Sequence, residues 1–259
     1  MRCDMTTRLI SSLGTIPLLS SILRKFARRY PEGSTVTIRN GHLAGYRWKR
    51  YHRYVNGYWL GIYELPLQEA IVGELKSGDV FYDIGANAGF FSLLASKYVG
   101  PRGRVYAFEP LPDNINAISA NFRINSIETC ELVEAAVTNR NGTIEFYKGA
   151  DSSMASIFNN KDKTGSFSVS AITLDDFVQD HRPPNMIKMD IEGAELLALQ
   201  GGEKLLTQSE RPRLLIELHG KETGNKVIQY LKSLGYTVLT LNHTPVTNCV
   251  DPHYIFCTS

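Results

Sequence analysis

The sequence predicts an α/β fold: a mostly parallel sheet of seven strands, closed by an antiparallel C-terminal hairpin and preceded by an N-terminal helix and small β extension. Three observations predict it. Val80-Phe81-Tyr82-Asp83-Ile84 is a buried-type strand carrying an acid near its end, and it passes through Gly85-Ala86-Asn87-Ala88-Gly89 into a helix over residues 90–98. Downstream, strand-like and helix-like stretches alternate, the pattern of a parallel sheet covered on both faces. The last two strand-like runs, 236–241 and 253–257, have no helix between them and must pair antiparallel.

Taken in order, the chain to about Tyr30 reads as helical, and Pro31-Glu32-Gly33-Ser34 as a turn. Residues 35–38 and 43–54 carry β-branched and aromatic residues around Asn40-Gly41, the strongest hairpin signal in the chain, so a small antiparallel sheet is expected there. Tyr63-Glu64-Leu65-Pro66 closes this lead, which divides the chain into a basic extension (1–63) and a main domain (64–259). A helix over 67–75 and the turn Ser77-Gly78-Asp79 feed the first core strand. The second is 104–108, ending at Glu109; a helix over 112–125 then starts on Pro112, a favoured first position. The third core strand is 132–137. Residues 143–147 form an extra strand, and 149–165, rich in Ser, Asn and Asp, a long loop of the kind that is usually functional. After a strand over 168–172, Leu174-Asp175-Asp176-Phe177 opens a short helix. Core strands four and five are 186–190 and 212–218, separated by a helix over 194–206 that Gly201-Gly202 interrupts. A helix over 226–234 leads to the terminal hairpin.

At 259 residues with 43% hydrophobic content, one substantial domain plus an extension is the natural size. The net charge of +2 hides an asymmetry: residues 1–53 hold 11 basic and 2 acidic side chains, the remainder 17 and 24. The lead can face an anionic surface or dock on the acidic body of its own chain or, in a homo-oligomer, of a second copy; nucleic acid is not the expected partner. Residues 9–23 are too short and too polar for a membrane span and have no small-residue cleavage site before Arg24, so they read as a helix packed on the protein or, with Arg24, Lys25, Arg28 and Arg29, peripheral to a membrane. Cys3, Cys130, Cys249 and Cys257 contain no C-x-x-C pair, which argues against a zinc site or a disulfide framework and for a cytoplasmic setting.

The turn after the first core strand carries the first chemistry. Gly85 lets a ligand approach the backbone, Gly89 lets the helix start pack closely, and Asn87 stands where a dinucleotide-binding G-x-G-x-x-G turn has its second glycine. Asp83 suits a nucleoside ligand that also carries a cation, as S-adenosylmethionine does. The spacing resembles motif I of class I S-adenosylmethionine-dependent methyltransferases. Glu109 can accept both hydroxyls of a ribose; the plain alternative is a carboxylate facing the helix dipole before Pro112. Asn114 either reaches the adenine side or caps the helix. Further on, Lys188 and Asp190 share one strand face, Glu192 follows in the loop, and Glu217 and His219 end the fifth strand. So many ionisable groups at one sheet edge cost several kcal/mol unless they bind or catalyse something, the alternative being an ion-pair network around Lys188.

Asp83-Ile84-Gly85-Ala86-Asn87-Ala88-Gly89, Phe108-Glu109-Pro110, Thr173-Leu174-Asp175-Asp176-Phe177, Lys188-Met189-Asp190-Ile191-Glu192-Gly193-Ala194-Glu195 and Glu217-Leu218-His219 together resemble the FkbM family of methyltransferases. The resemblance implies a Rossmann-like class I methyltransferase sheet and S-adenosylmethionine-dependent O-methylation of a small-molecule or glycan hydroxyl. It assigns Asp83, Gly85, Asn87, Gly89, Glu109 and Asn114 to the donor. The expected base is His219, with Asp190 and Glu192 next. No spacing signature demands a metal; one held by these carboxylates would be Mg²⁺ by hardness. Two rival readings are a non-catalytic module whose lead binds a polyanion, and an NAD(P)-dependent oxidoreductase, which would need the missing glycine and lack the hairpin.

Overall fold

A computed structural model describes residues 30–54, 57–148, 155–156, 166–249 and 253–258. The expected N-terminal helix and most of the loop over 149–165 lie outside these residues. In the lead, β1 (Thr35–Thr37) and β2 (Arg47–Lys49) pair antiparallel as expected. Their connection is longer than a two-residue turn at Asn40-Gly41 would make it. The ladder continues to Ile38, which bonds Tyr46 and Gly45, and Leu43 folds inward to 0% exposure.

Then come α1 (Leu65–Glu74), β3 (Val80–Ile84), α2 (Phe90–Val99), β4 (Arg104–Phe108), α3 (Pro112–Ile124) and β5 (Cys130–Val133). The expected strand over 132–137 is broken. Ala135 donates to the Val133 carbonyl in a tight three-residue turn, and β6 (Ala136–Val137) leaves for a second sheet with β7 (Gly142–Lys148), β8 (Ala155–Ser156) and β9 (Ser166–Ile172). The main sheet resumes with α4 (Leu174–Asp180), β10 (Met186–Met189), α5 (Glu195–Gln200), α6 (Glu203–Leu206), β11 (Arg213–Leu218), α7 (Lys221–Ser233), β12 (Thr237–Thr240) and β13 (His253–Thr258).

The seven strands of the main sheet lie in the order β12-β13-β11-β10-β3-β4-β5. All neighbours are parallel except β13, which runs against both β11 and β12. β13 therefore inserts between β11 and β12 rather than extending the edge. Alternation along the strands sends Tyr82, Ile84, Phe108, Met189 and Ile216 to one face, covered by α4 to α7. Phe81, Val105, Ala107 and Leu215 go to the other, covered by α1 to α3.

The described part of the lead is sealed into that second face. Trp48, 2% exposed, packs on Phe90 and Tyr58, and Tyr58 stacks on Phe90 at 5.5 Å. α3 completes the edge of the small sheet: Asn121 accepts from Lys49 N–H at 2.8 Å, and Asn125 brackets the Arg47 backbone, accepting from its N–H and donating to its carbonyl, each at 2.7 Å. Among the described residues no helix is long and apolar enough to cross a membrane.

Candidate active site

The direction of strand progression reverses between β3 and β10, and parallel sheets open a crevice at the carboxyl ends of such a pair. A cleft lies there, the usual place for a small-molecule site in such a sheet. Gly85 and Asn87 form one wall, Glu109 to Leu111 and Asn114 another, and Asp190 to Glu192 the third. The fourth is apolar: Ala135, Ala136, Val137 and Phe146, from the strand break and the second sheet. That wall is absent from the sequence-based site, because it exists only through the switch of sheets at Ala135.

Six of the expected site residues therefore share the cleft: Gly85, Asn87, Glu109, Asn114, Asp190 and Glu192. Asp83, Gly89 and His219 do not line it. Asp83 is wholly buried on the α2 side of β3. Its Oδ2 accepts from Ser92 Oγ at 2.6 Å, and its Oδ1 lies 3.3 Å from Lys188 Nζ, its neighbour across the β3–β10 ladder. Lys188 also donates to the Gly85 carbonyl at 3.0 Å and stands 3.8 Å from Asp190. Burial opposes charge on Lys188, but the carboxylates of Asp83, Asp190 and Glu64 hold its pKa above the ordinary lysine value. The expectation that Asp83 meets a ligand cation is thus replaced by an internal one: its cation is Lys188, and the pair braces the turn from beneath.

Gly85 serves a close approach, but of backbone rather than ligand. At φ +78°, an added Cβ would lie 1.9 Å from the Asp190 carbonyl oxygen. A Gly85→Ala chain should lose more than about 1 kcal/mol in chemical denaturation; an unchanged midpoint would show that the β3 and β10 ends separate freely. Gly89, the residue before α2, faces Ile118 and Phe122 of α3 rather than the sheet.

Glu109 is the anchored carboxylate of the cleft. Its Oε2 accepts from Asn87 N–H and its Oε1 from Leu111 N–H, both at 2.9 Å, so it ties the turns after β3 and β4 together. Burial pushes its pKa up to about 7, against the pull of those N–H groups and Asn114. Asn114 is fixed from the lead, where Tyr54 donates to its Oδ1 at 2.6 Å. The sequence holds no signal for this Tyr54 contact, which spans 60 residues. Asn87 adopts φ +52°, and its Oδ1 is buried without a hydrogen-bond partner among the described residues.

Beside the cleft is an acidic rim. His219 Nδ1 lies 3.0 Å from Oε1 of Glu195, which is 0% exposed and also takes the Gly193 N–H at 3.0 Å. His219 Nε2 faces Asp190 and Glu192 at 3.7 Å and Glu217 at 3.9 Å. Burial disfavours the imidazolium, but the Glu195 bond and the charges of Glu195, Asp190 and Glu192 hold its pKa at about 9. Burial and Asp190 push Glu217 to about 7, while the Tyr254 hydroxyl donates to it at 2.7 Å. Glu64, at the start of α1, is raised chiefly by burial and comes close enough to interact with Asp190. Glu64 and Glu195 carry no expected role in the sequence; their place at the rim depends on helix starts brought together by the sheet.

Comparison with known proteins follows the same outline. Residues 83–238 match the methyltransferase FkbM domain. A curated relative, the hexuronic acid methyltransferase AglP of Haloferax volcanii, is 28% identical over 152 residues, 58% of this chain and 59% of that protein, so the chain spans about three fifths of the relative's length. The solved structure of methyltransferase FkbM from Methylobacillus flagellatus KT aligns with a TM-score of 0.50 at 20% identity, over 72% of this chain and 45% of that one. Aeropyrum pernix fibrillarin, solved with natively bound S-adenosyl-L-methionine, aligns at 13% identity with a TM-score of 0.48 over 74% of each chain. The sheet order with its antiparallel C-terminal pair is that of class I methyltransferases, as predicted. Because the family match begins at the β3 acid and takes in more than half of the sequence, the chain belongs to the methyltransferase FkbM domain family.

Proposed function

We propose that this chain transfers a methyl group from S-adenosylmethionine to a hydroxyl of a sugar or similar small acceptor. The observation that carries this reading is Glu109, a buried carboxylate held by two backbone N–H groups at the mouth of a cleft formed by the ends of β3, β4 and β10. In the reading, its remaining lone pairs accept the ribose hydroxyls. Asn87 Oδ1, lacking a partner among the described residues, takes a donor hydrogen of the nucleoside, and Val137 and Phe146 cover the base. The sulfonium then points toward Asp190. In-line transfer breaks the C–S bond as the O–C bond forms, and the hydroxyl proton passes to a rim carboxylate. Asp190 is the choice, because it borders both the cleft and the rim. The enzyme's main contribution is alignment of donor and acceptor with water excluded. The hexuronic acid named in the relative supports a sugar acceptor.

Calorimetric titration with S-adenosylmethionine, S-adenosylhomocysteine and NAD tests the donor. Heat with the first two and none with NAD is the expected result; binding of NAD alone would favour the oxidoreductase reading. With a labelled methyl donor and a panel of sugars, Asp190→Asn should lower kcat by about 10²–10⁴-fold with S-adenosylhomocysteine affinity within a few-fold of wild type. A selective loss of donor affinity would instead move Asp190 into donor binding.

A further inference from the structure

The acidic rim gathers five carboxylates around one imidazole and one ammonium group among the described residues. Asp190, Glu192, Glu195 and Glu217 face His219, Glu64 interacts with Asp190 and Glu217, and Lys188 is shared between Asp83 and Asp190.

The geometry of His219 fits a metal ion. Its Nδ1 is tied to Glu195, which leaves Nε2 directed at three carboxylate oxygens, all at 3.7–3.9 Å and none at hydrogen-bond distance. One nitrogen and two oxygens, from His219, Asp190 and Glu192, lie within 4.8 Å of one another. The two 3.7 Å gaps from His219 are a few tenths of an ångström wider than the edge of a tetrahedral shell with bonds of about 2.1 Å, and a pair at the 4.8 Å limit would close by more than an ångström on coordination.

A second observation comes from behind the ring. Glu195 is 0% exposed and directed at the imidazole, and its Oε2 has no hydrogen-bond partner among the described residues. A buried carboxylate on the far nitrogen of a histidine is the usual support of a metal-ligating imidazole, fixing its tautomer and raising its basicity. An ammonium group can bind the same carboxylates and donate to the ring nitrogen. The buried carboxylate behind the ring is what favours a transition metal ion.

We infer that Asp190, Glu192 and His219 form a site for one divalent transition metal ion of the Mn²⁺ or Zn²⁺ kind, with Glu195 as the positioning residue behind His219. The ring nitrogen shifts the preference from Mg²⁺, expected from the carboxylates alone, toward these ions. Three protein ligands leave coordination positions for acceptor oxygens, next to the cleft that Asp190 and Glu192 also border. The inference stands on the rim alone and does not depend on the identity of the methyl donor.

The test uses the whole chain, stripped with a chelator and titrated with Mn²⁺ by electron paramagnetic resonance and calorimetry, then with Zn²⁺ and Mg²⁺. The expected result is one Mn²⁺ per chain, held more tightly than Mg²⁺. His219→Ala should abolish this binding, and Glu195→Gln should weaken it about 10–100-fold while leaving S-adenosylhomocysteine affinity unchanged. Absence of saturable Mn²⁺ and Zn²⁺ binding, or Mn²⁺ binding that His219→Ala leaves intact, would overturn the site. So would a metal-free chain that binds an amino sugar in preference to its neutral counterpart, since the rim's cation would then be an ammonium group. None of these outcomes bears on donor binding, which the titration with S-adenosylmethionine decides separately.

Discussion

Glu109→Ala should weaken S-adenosylhomocysteine binding by at least about a hundredfold in calorimetry. Two charge-assisted hydrogen bonds to a ribose, at about 1.5 kcal/mol each, account for that factor. The change also releases the Asn87 and Leu111 N–H groups, which loosens the turn that shapes the cleft. Glu109→Gln keeps the shape and separates the two effects. The pH dependence carries a definite sign. A carboxylate must be ionised to accept two hydroxyl hydrogens, and burial holds Glu109 at about 7. Affinity should therefore rise between pH 6 and 8, and Glu109→Gln should flatten the rise. Stability moves the other way. The folded chain keeps this proton where the unfolded chain has lost it, so the stabilisation is complete below the ordinary carboxyl value of 4.5 and is lost as pH rises through about 7. A wild-type affinity independent of pH, together with an unimpaired Glu109→Ala chain, would remove Glu109 from the donor site.

Lys188→Met should be the most destabilising single change in the sheet. It leaves Asp83, at 0% exposure, without its cation, and removes the tie from Lys188 to the Gly85 carbonyl. Breaking a buried pair from one side costs about 3–5 kcal/mol, a large part of the total stability of a domain. At this chain length that is a fall in Tm of roughly 10 °C. Asp83→Asn combined with Lys188→Met should recover much of the loss, because no uncompensated charge is then buried. Chemical denaturation of the four chains of the cycle measures this directly. Strictly additive losses would mean that the two groups are stabilised separately, and the account of Asp83 as a structural brace would fail.

Both experiments concern acids that look alike along the chain. Asp83 and Glu109 each stand at or near the end of a parallel core strand before a turn, and the sequence predicts a ligand role for both. The difference is a matter of facing. Asp83 sits one residue before the end of β3, and alternation turns it under α2, into reach of Lys188 and Ser92. Glu109 follows β4 directly and is turned by its bonds to Asn87 and Leu111 into the cleft. His219 differs in the same way: what its ring can bind is set by Glu195, which reaches it from another element.

The sequence by itself determined the alternation of strands and helices, the glycine turn after β3, the antiparallel C-terminal pair and the gathering of ionisable residues at one sheet edge. Each of these depends on side-chain period, chain continuity or local backbone conformation, which are properties of neighbouring residues. The tertiary structure alone decided that β13 inserts beside β11, that the chain changes sheets at Ala135 to bring Val137 and Phe146 to the cleft, that Tyr54 reaches Asn114, and that Asp83 spends its charge on Lys188. Those outcomes are fixed by burial and by partners far apart along the chain. The charge state and facing of a carboxylate or an imidazole depend on what surrounds it in space, and no local pattern records that.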